Sequence, residues 1–221
     1  MHRIPFLLLT VFSVLLLPQL SHASTDPKSY FYPADSKPFG KSYSEWSAIW
    51  WKFVKEYPEK DARLNDPDGH LCAVNQTGNV WILPGASSGN ALSTVNRDCV
   101  IPSGVSLLIS PDDNYCTLAD HPEMGYEELL KCAMDSVRED TSSKAKLDGV
   151  VLSNLLETNH IQSGFFELNI PGEKPTKAVS DGVFLMLKPL TPGKHEINLG
   201  ASNNDVLEPF SYNVTYHITQ K

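Results

Sequence analysis

Residues 210–219 read Phe-Ser-Tyr-Asn-Val-Thr-Tyr-His-Ile-Thr, so apolar and polar side chains alternate along the whole stretch. A period of two places the apolar side chains on one face of a β-strand and the polar ones on the other. A strand that is buried on one face and exposed to solvent on the other is typical of an antiparallel sheet. The end of the chain therefore predicts a β-rich fold.

Shorter apolar runs upstream end in turns that contain proline or glycine, which marks them as further strands. Between two such runs, Asp148-Gly149 has the form of a two-residue type I′ hairpin turn. Residues 85–98, rich in Ser, Gly and Asn, are expected to form an exposed loop. Many short strands with such turns favour a β-sandwich. The predicted strands are 80–83, 100–101, 105–109, 146–147, 150–151, 165–170, 183–190, 195–199 and 210–219.

Two segments have the apolar spacing of amphipathic helices. The first can be capped by Ser42 or Ser44, of which Ser42 has the capping-box spacing to Glu45, and it stops before Pro58. The second is expected to be capped by Asp120. The predicted fold class is thus α+β, mainly β: a single antiparallel β-sandwich, jelly-roll or immunoglobulin-like, with two helices packed on it. The two apolar stripes are Tyr43, Trp46, Trp50, Phe53, Val54 and Tyr57, and Tyr126, Leu129, Leu130, Ala133, Met134 and Val137.

The first 23 residues have the features of a secretory signal peptide. Residues 4–17 form an apolar run that is too short to span a bilayer, which needs about 20 residues. Small residues at Ser21 and Ala23 place the cleavage site after Ala23. We therefore expect a signal peptide at 1–23 and one domain at 24–221. The protein would be periplasmic or secreted, with no transmembrane segment after cleavage.

The chain contains four cysteines, and an even number in an exported protein predicts disulfides. Three pairings are open. The sequential one, Cys72–Cys99 and Cys116–Cys132, is preferred because it needs the least rearrangement of the chain. A zinc site is disfavoured because no C-x2-C spacing occurs.

The composition excludes several classes of function. Of the 221 residues, 41% are hydrophobic and 20% charged, which is typical of a globular protein. The net charge of −8 argues against nucleic-acid binding, which requires a basic surface. The sequence contains no G-x-S-x-G, H-E-x-x-H, P-loop or G-x-G-x-x-G motif. Enzymatic activity is therefore disfavoured.

Two acidic segments are candidate binding sites. Asp66 and Asp68, followed by a glycine, resemble the start of a calcium loop, although Thr77 stands where the loop would need its glutamate. The second segment, which lies beside Cys116, clusters oxygen ligands for a metal or another ligand. Trp51 lies furthest from the first helical stripe and is the best candidate for an exposed, ligand-stacking ring. The second segment consists of Asp112, Asp113 and Asn114.

Several motifs resemble a family of exported, largely uncharacterised bacterial proteins. The resemblance covers most of the chain after residue 23 and implies a bacterial, exported protein, but it implies no catalytic residue. Tyr115 departs from the pattern, because members of the family tend to have an acid at this position. The motifs are Tyr43-Ser44-Glu45-Trp46 with Trp50-Trp51, Cys72-Ala73-Val74-Asn75-Gln76, Val80-Trp81-Ile82-Leu83-Pro84-Gly85, Cys99-Val100-Ile101-Pro102-Ser103-Gly104, and Asp181-Gly182-Val183 through Leu190-Thr191-Pro192-Gly193-Lys194-His195.

These observations favour an exported binding protein whose partner is an extracytoplasmic protein or a glycan. It would expose an aromatic or apolar patch. The alternative is a secreted hydrolase of glycan or ester bonds, assisted by calcium. That hypothesis predicts a cleft that gathers Asp112 and Asp113, or Asp66 and Asp68, with a histidine. No cofactor is expected other than calcium.

Overall fold

The computed structural model describes residues 27–59, 62–86, 92–136, 142–152, 155–203 and 210–221. The predicted signal peptide at 1–23 lies outside them. Two short 3-10 turns, Pro27–Tyr30 and Pro38–Gly40, precede the first helix. The α-helices of the described residues are α1 (Tyr43–Lys55), α2 (Tyr126–Ser136) and α3 (Leu155–Asn159). The strands are β1 (Val80–Leu83), β2 (Leu92–Ile101), β3 (Ser106–Thr117), β4 (Ser142–Leu147), β5 (Val150–Val151), β6 (His160–Gln162), β7 (Phe166–Leu168), β8 (Thr176–Leu187), β9 (Gly193–Ser202) and β10 (Ser211–Gln220).

The strands form two five-stranded sheets, which makes the fold mainly β with helices, as the sequence predicts. The first sheet has the order β1-β3-β8-β6, and β7 also pairs with β8; the second has the order β2-β10-β9-β4-β5. The expectation of purely antiparallel pairing was wrong. β1 is parallel to β3, and β10 is parallel to β2 along its whole length. Both parallel pairs join segments whose connection is too long for a hairpin.

A central core contains buried side chains from both sheets. It follows from the alternation along the longest strands, in which every second residue faces inwards. In β10 the buried positions are Val214, Tyr216, Ile218 and Gln220, and the first three are apolar, as the alternating sequence predicts. The strands β3, β8 and β9 contribute Leu107, Ile109, Val183, Leu185, Leu187, Ile197 and Leu199.

The helix α1 covers the opposite face of the first sheet. Its capping box is formed as predicted, since the Ser42 side chain accepts a hydrogen bond from the Glu45 amide and the Glu45 carboxylate accepts one from the Ser42 amide. The tryptophans of α1 pack on the sheet with Phe184 and Met186. The prediction that Trp51 has an exposed ring was wrong. Its ring is 6% exposed and lies 4.3 Å from the Tyr115 ring, so it cannot stack on a ligand from solution.

The second helix, α2, packs beside the central core. It begins at Tyr126, later than expected. Asp120 is not its cap, because its carboxylate accepts a hydrogen bond from the Thr117 hydroxyl instead. The Glu128 carboxylate accepts the Gly125 amide at the start of the helix. The buried residues of the α2 core are Cys116, Leu129, Leu130, Ala133 and Val179.

Local turn chemistry agrees with the sequence in one place and differs in another. Asp148 and Gly149 have φ angles of +51° and +79°, the left-handed values of a type I′ turn, and they connect β4 to β5. By contrast, the loop predicted at 85–98 was wrong over 92–98, because β2 begins at Leu92, while residues 87–91 lie outside the described residues. Main-chain pairing with β10 overrides its polar composition.

Two disulfides join Cys72 to Cys99 and Cys116 to Cys132, the pairing that the sequence analysis preferred. The second ties α2 to the end of β3. Disulfides of this kind are typical of proteins in oxidising compartments. No helix of the described ranges has the length and apolar character needed to cross a membrane.

Candidate functional site

A cavity of about 460 Å³ lies along α1, between this helix and the segment that leads into β1. Its volume is in the range of small-ligand sites in proteins. We call it the α1 groove. Aromatic and aliphatic side chains line it together with lysine and amide side chains. The lining residues are Phe39, Lys41, Trp46, Ile49, Lys52, Phe53, Glu56, Asn75, Gln76, Thr77, Gly78, Asn79, Val80 and Ile82.

Phe39 is the unusual residue of the groove. Its φ is +56°, a left-handed value that is rare for a bulky side chain. Such a conformation costs about 1–3 kcal/mol and persists only where the surroundings enforce it. The side chain is 43% exposed, so burial does not compensate for this strain. The turn therefore holds an aromatic ring at the groove with one side in water.

Trp46 fixes the turn that carries Phe39. Its indole Nε1 donates a hydrogen bond to the carbonyl oxygen of Pro38 at 3.0 Å, and the ring is 8% exposed. Because the indole nitrogen is already used, Trp46 offers the groove only its apolar surface. The ring of Phe39 also meets that of Tyr32 edge-on, with centroids 5.9 Å apart.

The wall of the groove opposite α1 is stabilised by hydrogen bonds of the Gln76 side chain. Its Nε2 donates to the carbonyl oxygens of Cys72 and Ile82 at 3.0 and 2.7 Å, and its Oε1 accepts the Ile82 amide at 3.0 Å. The side-chain amide thus pairs with the edge of β1 as a neighbouring strand would. The bond between Cys72 and Cys99 anchors the same segment. This wall is therefore preorganised, which lowers the entropic cost of binding a ligand.

The groove carries positive charge in an acidic protein. Lys41 and Lys52 both line it, whereas the net charge of the chain is −8. Glu56 is the acidic lining residue, and its Oε1 accepts hydrogen bonds from the backbone and side-chain amides of Asn169 at 2.9 and 3.3 Å, so the two lysines and this carboxylate together carry one net positive charge. Neither lysine forms an ion pair with another described residue. The groove consequently favours a ligand with a negative group.

A second polar location lies on the face of the first sheet that is turned towards the second sheet. The register pairs Val183 with both Asp112 and His160, and Asp181 with Asn114. Directly paired residues share a face, and so do residues two apart on one strand. The four polar side chains therefore form one group, between the central core and the α2 core. We call this group of Asp112, Asn114, His160 and Asp181 the β3–β8 patch.

Its carboxylates are deeply buried. Asp112 is 7% exposed and Asp181 is fully buried, whereas the His160 side chain is 35% exposed. The Nε2 of His160 lies 2.7 Å from Oδ2 of Asp181. The Asp181 carboxylate raises the pKa of His160 through this hydrogen bond, so the charged imidazolium is favoured. Burial raises the pKa of Asp112 to about 6, although a hydrogen bond from the Ser143 hydroxyl opposes the shift.

Asp113 belongs to the other face of the sheet. Its Oδ1 accepts a hydrogen bond from the Trp50 indole at 3.3 Å, beneath α1. Burial of its carboxyl group raises the pKa of Asp113 to about 7. The paired residue is Gly182, where a Cβ would come within 2.6 Å of the Asp113 Cα and Cβ atoms. The three consecutive residues 112–114 therefore do not form one ligand set, because Asp113 points away from Asp112 and Asn114.

His70 lies beside Asp66 and Asp68 in the same loop. One potential metal-ligating atom from each of the three side chains lies within 4.8 Å of the other two. The oxygens of Asp66, however, already accept the backbone amides of Gly69 and Leu71 at 3.0 and 3.1 Å. Asp68 is exposed and contacts the His70 ring at 2.8 Å. Asp66 therefore acts as the acceptor that closes a turn.

A similar grouping surrounds the second disulfide. His121 lies within 4.8 Å of the sulfur atoms of Cys116 and Cys132. Both sulfurs are bonded to each other, so neither is a free thiolate ligand.

The sequence therefore indicated two residues of the β3–β8 patch and no residue of the α1 groove. It selected Asp112 and Asn114, but it missed His160 and Asp181, which join them only through strand register. It also missed Phe39, for which the neighbouring glycine was the available signal of an irregular turn.

Comparison with known proteins adds little to this picture. No family model and no curated protein matches the sequence. The structural comparison matches a chain of a solved structure titled "Structure of PbICP-C in complex with falcipain-2", with 12% identity and a TM-score of 0.25. The match covers 65% of this chain and 100% of that chain. At this TM-score the similarity carries no argument about fold or function.

Proposed function

We propose that the protein is an exported binding protein that binds an acidic glycan in the α1 groove. The observation that carries the proposal is Phe39, a half-exposed aromatic ring held in a strained backbone conformation at a cavity of about 460 Å³. Strain of this kind clusters at binding sites, where it presents a side chain to a ligand. The proposal agrees with the absence of known catalytic motifs from the sequence.

The chemistry of the groove favours a sugar over a purely apolar ligand. An exposed aromatic ring offers a flat apolar surface on which the C–H face of a pyranose can lie. Asn75 and Asn79 place amide groups along the same cavity, and amides donate to and accept from hydroxyl groups. Lys41 and Lys52 would pair with a carboxylate of the ligand. An extracytoplasmic protein is the alternative partner.

The scaffold and the compartment are part of the same proposal. Packing of both sheets on the central core supports a single β-sandwich as the rigid frame of the groove. The two disulfides and the signal-like segment at 1–23 support export to the periplasm or beyond. The family of exported bacterial proteins that the motifs resemble is consistent with this location.

Calorimetric titration with uronate oligosaccharides and with neutral oligosaccharides of equal length tests the proposal. We expect the uronates to bind more tightly, and we expect Phe39→Ala and Lys52→Gln each to weaken binding about tenfold or more. Phe165→Ala is the matched control, because Phe165 is also an aromatic residue with 43% exposure but does not line the groove. Failure of every uronate to bind, or equal affinity of wild type and Phe39→Ala, would refute the proposal.

A second candidate function, hydrolysis of glycan or ester bonds, is favoured by the pair of His160 and Asp181. A buried carboxylate at 2.7 Å from a half-exposed imidazole is an arrangement that orients a general base. Assays with p-nitrophenyl esters and glycosides test it. Activity that disappears in His160→Gln would support the hydrolase, and no turnover by the wild-type protein would exclude it for these bond types.

A further inference from the structure

The β3–β8 patch contains a buried oxygen atom that has no partner. Oδ1 of Asp181 accepts no hydrogen bond, although the residue is fully buried, whereas Oδ2 is held by His160. A buried charged acceptor without a donor is costly and rare in native proteins. Because Oδ1 of Asp181 is buried in the middle of the sheet, we expect a cation or a hydrogen-bond donor to bind it.

The residues around this oxygen are oxygen donors on the same face of the sheet. Asn114 is paired directly with Asp181, and its side chain makes no hydrogen bond to another described residue. Asp112 lies two residues earlier on the same strand, and it uses one oxygen to accept the Ser143 hydroxyl. Directly paired residues have Cβ atoms about 4.5–5.5 Å apart, and diagonal neighbours lie within about 8 Å. The register therefore places the carboxylate and amide groups of these three positions next to one another on one face of the sheet.

We propose that the β3–β8 patch binds a divalent cation of the calcium type through oxygen atoms of Asp112, Asn114 and Asp181. Calcium takes six to eight oxygen ligands at about 2.3–2.6 Å and accepts irregular geometry, so water would complete the shell. The ion would neutralise two carboxylates that otherwise repel each other across the strands. The site is separate from the α1 groove and from the turn formed by Asp66.

In this proposal His160 is a positioning residue for the Asp181 carboxylate. Its ring hydrogen-bonds Oδ2 of Asp181 and so fixes the orientation of the carboxylate, leaving Oδ1 for the ion. Hydrogen bonds of this type to ligating carboxylates are a general feature of metal sites. Access comes from the solvent side of the patch, where Asn114 and His160 are both partly exposed.

The test is a thermal melt of the oxidised, exported protein after chelation, with and without CaCl2, alongside a titration with Tb³⁺ followed by its luminescence. At about 100 times the dissociation constant, calcium should raise the melting temperature by about 5–11 °C. Asn114→Ala and Asp181→Asn should each remove at least half of this shift and weaken the Tb³⁺ signal. Asp68→Asn is the control, because it removes a carboxylate from the other acidic loop.

Each outcome decides the proposal. A shift that persists in Asp68→Asn and is lost in both patch variants supports it. No shift in the wild type, an unchanged shift in Asn114→Ala, or loss of the shift in Asp68→Asn overturns it. If the buried Asp181→Asn substitution prevents folding, the partly exposed Asn114→Ala variant decides, since no described residue depends on its side chain.

Discussion

Replacement of Arg97 by methionine should destabilise the protein strongly, because this side chain holds several segments together. It is 1% exposed and donates hydrogen bonds of 2.8–3.0 Å to the carbonyl oxygens of Leu64, Asp66, Pro84 and Gly85 and to the Tyr216 hydroxyl. Methionine keeps most of the volume but removes the donor of the Leu64, Asp66 and Gly85 carbonyl oxygens, whereas the Pro84 carbonyl still accepts a hydrogen bond from the Tyr216 hydroxyl. Each buried acceptor left unpaired costs about 1–3 kcal/mol, although such losses do not add fully.

A loss of about 3–5 kcal/mol in the free energy of unfolding is therefore expected for Arg97→Met, because three buried carbonyl oxygens each lose a donor at a cost of about 1–3 kcal/mol. For a chain of this size it corresponds to a fall of about 6–20 °C in melting temperature. Thermal melts followed by circular dichroism measure it. Arg97→Lys should recover only part of the loss, because an ammonium group has three donors and cannot span all the acceptors. Lys131→Met, at a residue 72% exposed, is the control and should change stability by less than about 1 kcal/mol. A loss below about 1 kcal/mol for Arg97→Met would refute the reasoning.

Two further substitutions have definite expected outcomes. Gly182→Ala should lower the free energy of unfolding by about 1–3 kcal/mol, because its Cβ would overlap the backbone of Asp113; an unchanged urea midpoint would contradict this. For His195, burial opposes the imidazolium, but hydrogen bonds with Asp148 and the Thr191 carbonyl outweigh it and raise the pKa. The stability from this pair is thus full below the unfolded pKa of about 6.5 and is lost as the pH rises through the folded pKa. The difference in melting temperature between wild type and Asp148→Asn should therefore shrink from pH 6 to pH 8, and a constant difference would exclude the pair as its cause.

The sequence predicted the elements whose signals are local. The capping box of Ser42 and Glu45, the turn at Asp148-Gly149 and the alternation of residues 210–219 all depend on neighbours within a few positions. The parallel pairing of β1 with β3 and of β2 with β10 could not be predicted in this way. It depends on packing between distant segments, which overrides local propensity.

The same reason limited the prediction of the site. Asp112 and Asn114 were visible as a cluster of oxygen ligands, but Asp181 lies on another strand, and only the register of β3 with β8 places it opposite Asn114. The exposure of Trp51 was predicted wrongly because the apolar stripe of a helix indicates burial against a single packing surface. In the structure the ring of Tyr115, on β3, packs against the Trp51 ring although Trp51 lies off that stripe.

The α1 groove and the β3–β8 patch lie on opposite faces of the first sheet, and this separation predicts that they act independently. Sites without shared partners usually contribute additively to stability. Phe39→Ala should therefore leave the calcium-dependent rise in melting temperature unchanged within about 1 °C, a margin smaller than one kcal/mol for this chain length. Asn114→Ala should likewise leave uronate affinity unchanged within about twofold. A loss of ligand affinity in Asn114→Ala would contradict independence and would mean that β3 transmits the occupancy of one face to the other, through Asp113 and its hydrogen bond with Trp50.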